Sequence, residues 1–79
     1  MKNTEIISII EKILQKVFKI NLKKKNVLKL KIGDFKEWDS LGNFNLLLEI
    51  EKNFKIRFKQ KELSSITSVN QIISYLKKK

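Results

Sequence analysis

The chain has no cysteine, no histidine and no proline, and only two glycines among its 79 residues. Without cysteine there are no disulfide staples and no thiolate ligands, so the fold must rest on apolar packing. With histidine missing too, the usual zinc and copper sites are excluded. The lack of histidine also removes the base that most often activates a serine, which argues against nucleophilic catalysis by this chain. Long apolar runs are missing as well, none approaching the roughly 18 residues of a membrane-spanning helix. The opening Met1-Lys2-Asn3-Thr4-Glu5 leads directly into a patterned helix and carries no signal-peptide apolar core. A soluble, cytoplasmic chain without a membrane span is the simplest expectation. Arginine is nearly absent: of eighteen basic residues only Arg57 is one, and arginine is the residue that bidentate phosphate recognition prefers.

What is present is lysine, isoleucine, leucine and asparagine on a short chain. Residues 1–79 make one domain, which at this length buries about 60–65% of its unfolded surface and leaves no room for both a core and a deep cleft. The formal net charge of +10 ordinarily points to nucleic acid or an anionic membrane. Its distribution argues otherwise. Asp34, Glu37, Asp39, Glu49 and Glu51 fall between positions 34 and 51 against the single Lys36. This acidic island on a basic background has no evident use in a nucleic-acid binder, and no nucleic-acid partner is expected.

Periodicity organises the rest. Ile6, Ile10, Ile13 and Val17, widened by Ile7, Leu14 and Phe18, predict an amphipathic helix over 4–19, with Asn3 or Thr4 as its N-cap. Leu28-Lys29-Leu30-Lys31-Ile32 alternates like a strand but has no partner strand of similar quality, so 20–38 reads as a long loop with one short helical turn. Asp39 looks like the N-cap of a helix over 40–53, with Leu41, Phe44, Leu47 and Leu48 as its apolar stripe and Leu46 and Ile50 widening it. An extended connector, Phe54 to Phe58, and a short helix over 60–65 follow. Ser68 with Gln71 fits a capping box opening a last helix, whose Val69, Ile72, Ile73 and Leu76 keep helical spacing. The expected fold is all-α, a small bundle of three main helices and a minor one with a long loop between the first and second. The apolar stripes suffice for one core, so a monomer is expected.

Trp38-Asp39-Ser40-Leu41, the helix ending Leu48-Glu49-Ile50-Glu51-Lys52-Asn53-Phe54, the Ile56/Phe58 connector and the closing Val69, Ile72, Ile73, Leu76 helix together resemble an acyl carrier protein. By itself the Asp-Ser-Leu triplet fits an ordinary serine in a helix N-terminal box. The resemblance is carried by the order and spacing of all these pieces over nearly the whole chain. It implies a non-catalytic carrier whose Ser40 receives 4′-phosphopantetheine from coenzyme A through a phosphopantetheinyl transferase. The arm would hold an acyl or aminoacyl cargo as a thioester, supplying the chemistry that the side chains lack. Asp39 and Leu41 would flank the attachment point, and Gly42 would keep its approach uncrowded. A phosphodiester there would face the positive end of the helix. Further partners implied are a loading ligase and a downstream synthase or transferase, of fatty-acid biosynthesis or a specialised pathway. By resemblance, Trp38, Phe44, Leu48 and Glu51 are the partner-binding candidates. Phe44 and Leu48 also read as core residues, and Trp38 as a partly buried anchor for the long loop. The depth of any chain pocket would depend on Phe44, Leu46, Leu48, Ile50, Ile66 and Leu76.

The chain departs from the family in its charge. Carriers of fatty-acid synthesis usually bear acidic residues two, five, eleven and twelve positions after the serine. Here those positions hold Gly42, Asn45, Glu51 and Lys52. Trp38, where many of those carriers have Gly or Ala, resembles stand-alone carriers of specialised pathways and peptidyl carrier domains. A second reading is a basic helical module binding nucleic acid or an anionic surface through Lys19, Lys23, Lys24, Lys25, Lys29 and Lys31. That binding would weaken steeply with salt.

Overall fold

A computed structural model describes residues 3–20 and 26–78. Its elements are α1 (Asn3–Phe18), a single 3-10 turn (Val27–Lys29), α2 (Ser40–Phe54), α3 (Gln60–Ser65) and α4 (Val69–Lys77). The expected small all-α bundle with a long first connection is therefore present. Because α1 already begins at Asn3, Thr4 lies inside the helix, and the position before it is outside the described residues. No helix among the described residues is long and apolar enough to cross a membrane.

α1 and α2 form the central contact. Ile6, Ile10, Ile13, Leu14 and Phe18 of α1 meet Leu46, Leu47 and Ile50 of α2 in one core, closed from the other side by Val69, Ile72 and Ile73 of α4. That core is what 3.6-residue periodicity demands of amphipathic helices. Both long helices end with a lysine in left-handed backbone, Lys19 (φ 53°) and Lys55 (φ 55°). This is the usual way to stop a helix and turn the chain, though more often done by glycine.

The alternating 28–32 segment finds a partner after all, in the connector before α4. Ile32 N–H donates to the Thr67 carbonyl (2.8 Å) and Val69 N–H to the Leu30 carbonyl (3.0 Å). They frame one antiparallel bridge, Lys31 to Ser68, rather than a strand. The loop is thus stitched to the start of α4 before it turns back at Gly33, whose φ of 93° suits glycine alone. α4 opens as its capping signal predicts on one side only. Ser68 Oγ accepts from Gln71 N–H (3.2 Å), but Gln71 Oε1 returns to the Thr67 N–H (2.8 Å), one residue earlier than in a standard box.

Candidate functional site

Ser40 is the first residue of α2 and is exposed. Asp39 precedes it in extended backbone, and its Oδ1 accepts from Gly42 N–H at 2.8 Å. The Asp39 carbonyl accepts from Asn43 N–H, also at 2.8 Å. Asp39 is therefore the N-cap that the sequence indicates, satisfying one of the four N–H groups that every helix start leaves unpaired. Helix geometry leaves the Ser40 and Leu41 N–H groups without intrahelical acceptors at the same end.

Three residues hold this corner in place, and two were not visible as such in the sequence. Trp38 is wholly buried and stacks on Phe18 (centroids 5.4 Å apart) and on Phe35 (6.2 Å), which also touch each other (6.3 Å) in one three-ring cluster. It is a full anchor rather than a partly buried one. With no exposed surface, it lies out of reach of any partner in this conformation. Its indole Nε1–H donates to Asn43 Oδ1 (2.9 Å), while Asn43 Nδ2 donates to the Ile66 carbonyl (2.8 Å). Asn43 thus ties the loop before α2 to the connector after α3. It is the one buried polar side chain among the described residues. The sequence signal was its position: 43, 46, 47 and 50 share one helical face, and three of the four are apolar.

Gly42 also has a different role from the one expected. It is buried and faces inward, not toward the serine's approach. A Cβ there would collide with the Glu37 carbonyl oxygen and come within 3.1 Å of Phe18 Cε1. The missing side chain lets the start of α2 lie directly against the backbone that leads into Asp39.

The apolar stripe of α2 is phased differently from the expectation. Leu46, Leu47 and Ile50 face the core with Gly42 and Asn43. Leu41 is 68% exposed and Phe44 42%, while Leu48 is half-buried. Phe44 and Leu48 are therefore not core residues. With Leu41 they follow i, i+3, i+7 spacing on the outer side of the helix, beginning next to Ser40.

A groove of about 360 Å³ adjoins Ser40, lined also by Ile32, Phe44, Gln60, Leu63 and Thr67. Of the side chains expected to set a chain pocket, only Phe44 reaches it. Leu46, Ile50 and Ile66 are buried in the core, and neither Leu48 nor Leu76 lines the groove. A larger hollow, about 530 Å³, lies between α3 and α4 and does not include Ser40. Two of its polar side chains serve the fold: Tyr75 Oη donates to the Arg57 carbonyl (3.1 Å), and Glu62 Oε1 accepts from Lys59 N–H (2.7 Å).

Four carboxylates of the acidic island, Asp34, Asp39, Glu49 and Glu51, have structural tasks, and Glu37 is exposed. Glu49 is bracketed by Lys16 (2.9 Å) and Lys52 (3.7 Å). The Lys16 hydrogen bond is the main cause of a lowered Glu49 pKa; burial opposes it, and the charges of Lys16 and Lys52 add to it. Glu51, carried over as a partner-binding residue, is half-buried, and its Oε2 accepts from Phe58 N–H at 2.7 Å, fastening the connector to α2. Asp34 pairs with Lys31 (3.4 Å). The carboxylates do not gather: no group of three or more His, Cys, Asp or Glu side chains among the described residues is placed to hold a metal ion. Of the lysines in the basic-module reading, Lys19, Lys29 and Lys31 are exposed. Lys23, Lys24 and Lys25 lie outside the described residues.

Comparison of the chain with protein-family models and with curated proteins gives no match.

Proposed function

We propose that this protein is a carrier whose Ser40 bears a 4′-phosphopantetheine arm, and that it delivers an acyl or aminoacyl thioester to partner enzymes. The observation that carries this reading is Ser40 itself, exposed as the first residue of a helix with its backbone held by the Asp39 cap. A serine to be modified by another enzyme needs accessibility and a defined backbone. It does not need a neighbouring base.

The residues present fit the arm. The Ser40 hydroxyl would form the phosphodiester, and the Ser40 and Leu41 N–H groups at the positive helix end would face it. The Asp39 carboxylate is engaged by Gly42 N–H, which orients it along the helix start. The groove beside Ser40, with Ile32, Phe44 and Leu63 on its apolar walls, is where the arm or a small cargo could rest. The arm supplies a thiol for thioester chemistry, and the chain supplies the position of that thiol. Trp38, Asn43 and Gly42 fix the start of α2 against the rest of the bundle, so the arm would be rooted on a rigid element.

The test is intact mass after incubation with coenzyme A and a broad-specificity phosphopantetheinyl transferase, wild type beside Ser40→Ala. A gain of one phosphopantetheine in the wild type alone is expected. No gain in a folded wild-type protein would make Ser40 a plain helix-start residue and bring the basic-module reading forward.

A further inference from the structure

We propose that the hollow between α3 and α4 is a binding site for a small hydroxylated phosphate ester, such as a sugar phosphate. It measures about 530 Å³, within the range of small-molecule sites, and does not include Ser40. Two hydrogen bonds between the segments that line it set its ends. Tyr75 Oη donates to the Arg57 carbonyl (3.1 Å) at one, and Gln71 Nε2 to the Ser65 carbonyl (3.2 Å) at the other. Lys59 follows Arg57 by two residues and Lys78 follows Tyr75 at i, i+3 spacing, so both lysines belong to the Tyr75 end. Asn70 and Ser74 lead up to Lys78 along α4 at i, i+4, i+8 spacing, a row of about 12 Å that runs from one end of the hollow to the other.

The fold does not use this row. Glu62 and Gln71, which also line the hollow, spend polar atoms on the backbone, Glu62 Oε1 on Lys59 N–H and Gln71 Oε1 on Thr67 N–H. The Lys59 and Lys78 ammonium groups have no ion pair, and the Asn70 and Ser74 side chains no hydrogen bond, among the described residues. All four residues are exposed, so a solute reaches them without a change in the fold. Two ammonium groups against one carboxylate already held by a backbone N–H leave the Tyr75 end positive. Lysine binds phosphate as a point charge, and a pair of them suits the charge of a phosphate monoester, which approaches two at neutral pH. The Asn70 amide and the Ser74 hydroxyl offer both donors and acceptors, as the hydroxyls of a ligand require. Ile66 is the only aliphatic residue in the lining, so the walls do not suit an acyl chain. None of the residues assigned to the carrier reading takes part, and the site is independent of that reading.

The test is an amide NMR titration of the full chain, at constant ionic strength, with glucose 6-phosphate and separately with glucose and with inorganic phosphate. Glucose 6-phosphate is expected to give saturable shifts at Lys59, Asn70, Ser74 and Lys78, with glucose and inorganic phosphate each binding several-fold more weakly. Lys78→Gln should weaken ester binding roughly tenfold, the loss of one hydrogen bond to a charged group, and Ser74→Ala roughly threefold, the loss of a neutral one. Lys12→Gln removes the same charge from α1, outside the hollow, and should leave the affinity unchanged. Inorganic phosphate binding as tightly as the ester would reduce the site to a pair of lysines and overturn the proposal. Shifts spread over lysines elsewhere, no saturation in the millimolar range, or equal losses in Lys12→Gln and Lys78→Gln would overturn it as well.

Discussion

Replacing Asn43 by alanine should cost this protein a large share of its stability. The side chain accepts from Trp38 Nε1–H and donates to the Ile66 carbonyl, all three residues being buried. Truncation leaves one donor and one acceptor without partners inside the bundle. At about 1–3 kcal/mol for each unsatisfied buried group, the loss is about 2–6 kcal/mol. A domain of this length has a total stability of roughly 4–12 kcal/mol, so the variant should be close to half as stable or worse. Urea unfolding followed by circular dichroism and by the fluorescence of Trp38, the chain's single tryptophan, measures it directly. With a slope of about 1–2 kcal/mol per molar urea for a small domain, the midpoint should fall by at least 1 M or so. Trp38→Phe removes the donor while keeping an aromatic ring against Phe18 and Phe35. The double variant should then lose less than the sum of the singles, with a coupling of about 0.5–3 kcal/mol. Asn43→Ala within about 0.5 kcal/mol of wild type, the range of an ordinary surface change, would refute the assignment of Asn43 as the tie between the two connectors.

Two further outcomes follow from the same corner of the fold and from the ion pair on α2. Gly42→Ala should destabilise by about 1–3 kcal/mol, because the added methyl meets the Glu37 backbone carbonyl, which cannot swing aside as a side-chain tip can. Helix propensity alone would stabilise an open site by about 1 kcal/mol, so a rise in melting temperature would contradict the packing described here. Glu49, whose pKa is lowered chiefly by Lys16, contributes stability that is present above its ordinary value of 4.5 and lost as pH falls through the lower folded value. The effect should stay below about 1 kcal/mol, since the lysines are largely solvated. Denaturant midpoints taken down the acid range should fall less steeply in Glu49→Gln than in wild type, and parallel curves would dismiss the ion pair as a contributor.

Local signals were readable without the fold because their causes are local. Helices expected over 4–19, 40–53 and 60–65 appear as Asn3–Phe18, Ser40–Phe54 and Gln60–Ser65. Asp39 and Ser68 cap the helices that their side-chain chemistry indicates, since a cap bond spans only three residues. The exposed position of Ser40 follows from the same short-range logic. The phase of α2 was not legible, because Leu41, Phe44 and Leu48 on one side and Leu46, Leu47 and Ile50 on the other are equally apolar. Only the seat of α1 against α2 determines which row is covered. The bridge between Lys31 and Ser68, the Asn43 tie and the close approach at Gly42 each join segments far apart in the chain or backbone to backbone. Sequence by itself determined where the helices start and stop and which serine stands at the head of the second. The tertiary structure alone decided which apolar row that helix leaves to solvent, because burial belongs to pairs of elements and not to either one.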